Sequence, residues 1–209
     1  FCPVLMKLAH GYVAYTEAEL AELRQAYSLG SRPVAVIPMG PFDQYAPDLA
    51  AAPAREAPAE ACNFLFFGTI RPYKGLEDLV RAFDSIPPAE IDRYWLTVVG
   101  ETWEGWTLPL ELIAGSRYRD RITLVNRYVA DDEVAAFFAG ADVCVLPYNR
   151  ASAAGPPYVA MSWGMPLVTT DVGGTPEAVE AYEGTILVPP RDPDALRQAM
   201  LRAAEMRGR

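Results

Sequence analysis

From Asn63 onward, short apolar runs alternate with amphipathic segments. Candidate strands lie at 64–67 (FLFF), 95–99 (WLTVV), 122–125 (ITLV), 143–147 (VCVLP), 166–170 (PLVTT) and 185–188 (TILV). Helical spacing fills 75–86, 131–140, 155–163, 175–182 and 193–206. Leu76, Leu79, Val80 and Phe83 mark one buried helix face, and Val134, Phe137 and Phe138 another. Strands that read as continuous β-branched and aromatic runs are buried on both sides. The expected fold is therefore α/β: a Rossmann-like parallel sheet with helices on both faces. Residues 102–118 resist assignment, because Pro109 interrupts them.

The first 45 residues follow a shorter rhythm. Strands are expected at 12–16 and 34–38, with a helix over 17–27 between them. Thr16 suits its N-cap and Glu19 its first turn. This piece is too small to bury its own faces, so 1–45 reads as the end of a larger domain. Residues 46–62, APDLAAAPAREAPAEAC, lack either periodicity and read as a linker or surface excursion. Residues 63–209 form the expected main domain. The chain begins with Phe1, as a fragment or processed product would.

Composition excludes several functions. Acidic residues outnumber basic ones 27 to 18, for a net charge of −9, which argues against nonspecific nucleic-acid or anionic-membrane binding through overall charge. Cys2, Cys62 and Cys144 are far apart, with no CxxC spacing, so neither a zinc site nor a disulfide framework is expected. His10 is the only histidine, which excludes a histidine-built metal site. No apolar run reaches the ~18 residues of a membrane span, and Phe1–Tyr15 lacks a signal-peptide pattern. A cytoplasmic location fits, with a peripheral membrane position left open for a full-length protein.

In a parallel sheet, ligands bind at the carboxyl ends of the strands. The loop Gly68 to Lys74 there presents Arg71 and Lys74 together, and Lys7 is the only other lysine. Two fixed cations suit a diphosphate; ordinary surface cations are the competing reading. The loops Gly100 to Glu104, Asn126 to Asp131, Tyr148 to Gly155 and Asp171 to Glu177 open on the same end. Tyr128 and Val129 offer a flat apolar edge for a nucleobase, with plain packing as the alternative. The small-residue stretch before Gly155 leads into a helix whose free N–H groups form an anion site, or is a tight turn. Gly173 and Gly174 permit close backbone approach. Pro176 and Glu177 suit a first helical turn, with the Glu177 carboxylate complementing the dipole.

Taken in order, FFGTIRPYKGLEDLVRAF, VVGE, NRYVADDEVAAFFAGADVCVLPY and GMPLVTTDVGGTPEAV resemble retaining glycosyltransferases of the GT-B fold, family 4 (group 1) type. The likeness covers about 63–206, the donor-binding domain of that family. The upstream YVAYTEAELAELRQAY and VAVIPMGPFDQY resemble the end of its N-terminal domain. The resemblance implies transfer of a hexose, with retention and without metal, from a nucleotide-diphosphate sugar, UDP- or GDP-linked, to an acceptor held by the N-terminal domain. It implies Arg71 and Lys74 as the catalytic cations. It implies donor contacts from Gly68, Glu101, Tyr128, Val129, Ser152, Ala154, Gly155 and Pro156. No cofactor, metal or nucleic acid is implied.

The chain departs from the pattern on one wall. The two glutamates that many members carry there correspond to Ala151 and Val159. The polar loop of one sub-group corresponds to Ser152-Ala153-Ala154-Gly155-Pro156-Pro157, where the two prolines remove backbone donors from the helix start. Met39 stands where a histidine often follows Ile-Pro. Two other readings stay open: a non-catalytic GT-B domain serving as a binding or scaffold partner, and a GT-B nucleotide-sugar epimerase.

Overall fold

The computed structural model describes residues 3–40, 42–45, 54–103, 105–150 and 155–207. Six parallel strands form its main sheet: β3 (Cys62–Phe67), β4 (Tyr94–Val99), β5 (Ile122–Val125), β6 (Val143–Leu146), β7 (Leu167–Thr170) and β8 (Thr185–Val188). Their spatial order is β5-β4-β3-β6-β7-β8. The chain runs outward from β3 to one edge, returns to β6 beside β3, and runs to the other edge. The topological switch point lies between β3 and β6, where a ligand crevice is expected.

Strand alternation feeds two separate cores. Phe64 and Phe66 of β3 face one side with Leu96 and Val98 of β4. Helices α3 (Leu76–Asp84) and α8 (Pro193–Ala204) cover that side through Leu79, Phe83, Leu196 and Met200. Leu65 faces the other side with Cys144 and Leu146 of β6. There α5 (Asp131–Ala139) and α6 (Gly155–Ser162) cover it through Phe138 and Val159. Both faces are thus dry, as the apolar runs require. Cys62 and Cys144 are buried free thiols.

Residues 102–118 contain helix α4 (Leu108–Ala114), with Pro109 in its first turn. Proline costs nothing there, because the N–H it lacks has no intrahelical partner. The described part of the expected linker or surface excursion is tied down. The Arg55 guanidinium donates to Asp142 at 3.0 Å, to the Gly140 carbonyl at 2.8 Å and to the Ala61 carbonyl at 2.6 Å. Residues 54–61 are therefore fastened to the sheet by one arginine among the alanines. The remainder of that stretch, 46–53, lies outside the described residues.

The first part of the chain forms α1 (Pro3–Leu8) and a two-stranded parallel sheet of β1 (Tyr12–Ala14) and β2 (Val34–Val36), joined by α2 (Glu17–Ala26). Thr16 caps α2 as expected, accepting from the Glu19 N–H. The second device at this helix start was not expected. Glu177 lies in α7 (Thr175–Val179), yet its carboxylate reaches α2, where it accepts from the Glu17 N–H at 2.9 Å and the Ala18 N–H at 3.2 Å. Glu177 therefore serves a helix some 160 residues away in sequence, in addition to sitting in the first turn of its own. A Cβ on Gly174 would come within 2.3 Å of Thr16 Oγ1, so Gly174 makes room for this docking. Glu177→Ala is expected to cost about 1 kcal/mol of local stability, the scale of a lost cap. Hydrogen exchange reads this as lost protection confined to residues 12–27, with the six-stranded sheet unchanged.

Candidate donor-binding site

The carboxyl ends of β3, β4 and β6 converge through backbone hydrogen bonds. The Ile70 N–H donates to the Glu101 carbonyl at 2.8 Å, and the Trp103 N–H to the Ile70 carbonyl at 3.0 Å. On the other side, the Asn149 N–H donates to the Tyr73 carbonyl at 2.7 Å. The loop after β3 is thus fastened to both neighbours. Pro72–Lys74 form one 3-10 turn, which ends at Gly75 in the left-handed region at φ 64°. A Cβ there would fall 1.9 Å from the Pro147 carbonyl oxygen. Glycine alone lets the β3 and β6 loops approach this closely.

The two expected cations lie on aromatic supports in this loop. The Arg71 guanidinium stands 4.6 Å from the ring centroid of Trp103, which is exposed. Lys74 is buried, and its ammonium lies 4.0 Å from the Tyr148 ring and 5.5 Å from the Tyr73 ring. Burial, followed by repulsion from Arg71, lowers the Lys74 pKa from 10.5 to about 8. Neither cation forms an ion pair among the described residues. The nearby carboxylate of Asp78 is engaged by Arg81 at 3.2 Å and by the Asn149 amide at 3.4 Å. A buried lysine without a carboxylate is costly. A desolvated lysine that faces no carboxylate among the described residues, with Arg71 beside it, forms a site suited to receiving an anion.

The remaining expected residues divide into three groups. Gly68 and Pro156 come together: the Pro156 Cγ is 3.8 Å from where a Gly68 Cβ would stand. The start of α6 therefore meets the β3 loop as expected. Gly155 packs instead under the Phe42 ring, 3.1 Å from its own Cβ position. The Glu101 side chain is exposed, and its carbonyl is what ties the loops together. Tyr128 is 70% exposed at the end of β5, two strands from β3. Val129 is partly buried against the second core, beside the exposed Tyr128. Arg127 and Glu133 hold that loop by a 2.8 Å contact, and the Glu133 carboxylate also accepts from the Ala130 N–H. Ser152, Ala154 and Ala151 lie outside the described residues. Val159 is buried in the core.

Sequence reasoning passed over Trp103, Tyr148 and Arg150. Each follows a strand end within a few residues, and an aromatic or cation at that position was the available signal. Among the described residues, no group of three or more His, Cys, Asp or Glu side chains could hold a metal ion.

Residues 61–206 match the family model described as glycosyl transferases group 1. The chain belongs to this family. The D-inositol 3-phosphate glycosyltransferase of Streptomyces griseus is 30% identical over 92% of the chain and 46% of its own length. That of Geodermatophilus obscurus is 32% identical over 87% of the chain and 42% of its own length. This group 1 chain thus spans about half the length of the curated relatives it matches. Sucrose-phosphate synthase from Thermosynechococcus elongatus superposes with a TM-score of 0.78 at 26% identity, over 96% of the chain and 50% of that protein. An Escherichia coli trehalose-6-phosphate protein bound with UDP-2-fluoro glucose has the same fold, with a TM-score of 0.75 at 15% identity over 94% of the chain and 53% of that protein. The α/β fold expected for the group 1 transferases is the fold observed.

Proposed function

We propose that the chain is the donor-binding half of a retaining, metal-independent GT-B glycosyltransferase that transfers a hexose from a UDP- or GDP-linked sugar. The observation that carries this reading is the pair of cations, Arg71 and Lys74, at the switch point of the sheet, neither in an ion pair among the described residues. When the bond between the sugar and the diphosphate breaks, negative charge grows on the departing nucleoside diphosphate. Fixed cations in a partly dry loop stabilise that charge. The acceptor hydroxyl oxygen forms the new bond to the sugar carbon, and its proton passes to the departing diphosphate oxygen. Arg71 and Lys74 supply the neutralisation that a metal supplies elsewhere.

Residues 1–45 then belong to the acceptor-side domain, and 63–209 are the nucleotide-sugar domain. The upstream segment exposes Val4, Leu5, Leu8, Val13 and Ile37 beside a sheet of only two strands. A two-stranded sheet needs further packing to be stable. A missing part of about 100–200 residues, one domain, would provide it. The 209-residue chain should bind a nucleotide sugar and transfer nothing.

Titration calorimetry with UDP, GDP and ADP, with and without EDTA, tests the reading. Binding of at least one, unaffected by the chelator, is expected. A folded chain that binds none would point to the non-catalytic reading, which the buried Val159 and the prolines of α6 favour. The epimerase reading gains no support, since the relatives carry transferase names. Tyr128→Ala is expected to leave stability within about 0.5 kcal/mol, as for an exposed side chain. It should weaken uridine, UMP and UDP by a common factor of roughly 3–10, the worth of one aromatic contact.

A further inference from the structure

We propose that Arg150 is a third anion-binding cation of this site, which replaces the backbone donors missing from the start of α6 and selects nucleoside diphosphates over monophosphates. The inference rests on the donor-binding reading above and adds a residue and a selectivity to it.

Arg150 is placed by the same bond that joins the two loops. Its neighbour Asn149 donates its N–H to the Tyr73 carbonyl at 2.7 Å, so the chain leaving β6 passes directly beside Tyr73. The Arg150 guanidinium stands 6.0 Å from the Tyr73 ring centroid, and the Lys74 ammonium stands 5.5 Å from the same ring. Two cations thus share one aromatic ring, and Arg71 lies three residues before Lys74 on the same loop. None of the three forms an ion pair among the described residues. The chain carries 27 acidic residues against 18 basic ones, so three cations gathered past the carboxyl ends of β3 and β6 run against its overall charge. Arg71 already repels the Lys74 ammonium, and an anion held beside these cations removes that cost. Two buried polar atoms in the same place also lack protein partners among the described residues, the Tyr148 hydroxyl and the Asn149 Oδ1.

The start of α6 explains why a third cation matters. A helix start normally offers several free N–H groups to an anion. Pro156 and Pro157 have none, and Pro156 is the residue set against Gly68. Negative charge that reaches Gly68 therefore meets two fewer backbone donors, which leaves more of it to side chains. The planar Arg150 guanidinium can give two hydrogen bonds to one phosphate, and it carries the full charge that amides lack. Recognition built on three side-chain charges also depends on salt more steeply than recognition built on amides.

The test compares wild type, Arg150→Ala and Arg150→Lys by calorimetry with uridine, UMP, UDP and inorganic pyrophosphate, at low and moderate salt. Melting curves confirm that each variant is folded. Arg150→Ala should weaken UDP and pyrophosphate about tenfold, weaken UMP less, leave uridine unchanged and flatten the salt dependence of UDP binding. Arg150→Lys should recover part of the loss. UDP binding within twofold of wild type overturns the proposal and leaves the donor-binding reading standing. An equal loss for uridine, UMP and UDP also overturns it, since that pattern reports an effect on the base. Failure of wild type to bind any of the four ligands, or GDP or ADP, overturns both readings.

Discussion

Lys74→Met should stabilise the ligand-free chain and cripple it as a nucleotide binder. The ammonium is buried against Tyr148, and its pKa is brought down from 10.5 to about 8 by burial first and Arg71 second. A folded value below the unfolded one means that the unfolded chain gains its proton first as pH falls. Stability therefore declines between pH 10.5 and about 8 and stays level below. Removing the charge should restore about 1–3 kcal/mol at neutral pH, measured by chemical denaturation. UDP affinity should fall about 10–100-fold in the same variant, the worth of a charge-assisted hydrogen bond. For wild type, affinity should drop as pH rises through about 8, because the free protein loses the charge that the diphosphate needs. Binding near that pH should take up a proton, seen as a calorimetric heat that changes with the buffer. Lys74→Arg should abolish the pH dependence. A variant that loses stability while retaining UDP affinity would make Lys74 a structural residue.

Gly75→Ala should be the most damaging single methyl in the site. The residue sits at φ 64°, and a Cβ would stand 1.9 Å from the Pro147 carbonyl oxygen, a backbone atom that cannot swing aside. Left-handed backbone costs alanine about 1–2 kcal/mol. Forcing the β3 and β6 loops apart adds more, for a total of roughly 3–5 kcal/mol. The same movement would break the bond from Asn149 to Tyr73 and separate the rings that support Lys74 and Arg150. Stability and UDP affinity should therefore fall together, in contrast with Lys74→Met. A Gly75→Ala chain with wild-type melting behaviour would mean that the two loops are not held in contact.

Most of the main sheet was legible because burial on both faces leaves an unmistakable pattern. Runs such as FLFF and VCVL, each ending at a loop, identify strands and order them along the chain. The Pro109 region was not legible, because a proline at a helix start looks the same as one that breaks a helix until the neighbours are placed. The fastening of residues 54–61 was not legible for a related reason: one arginine, Arg55, provides it within a stretch of alanines and prolines. The cations of the site were visible as residues. Their aromatic supports were not, since Trp103, Tyr148 and Tyr73 come from three different loops or strand ends and meet only after folding. Glu177 shows the same limit most clearly. Its place in a first turn was correctly read, yet its carboxylate serves a helix at the far end of the chain.

A crystal structure of the chain with UDP tests the central claim most directly. The account predicts the diphosphate at the carboxyl end of β3, with phosphate oxygens within hydrogen-bond reach of Lys74 Nζ and the Arg71 guanidinium and with no metal between them. A diphosphate bound elsewhere, or held through a metal ion while both cations remain on their aromatic rings, would contradict it.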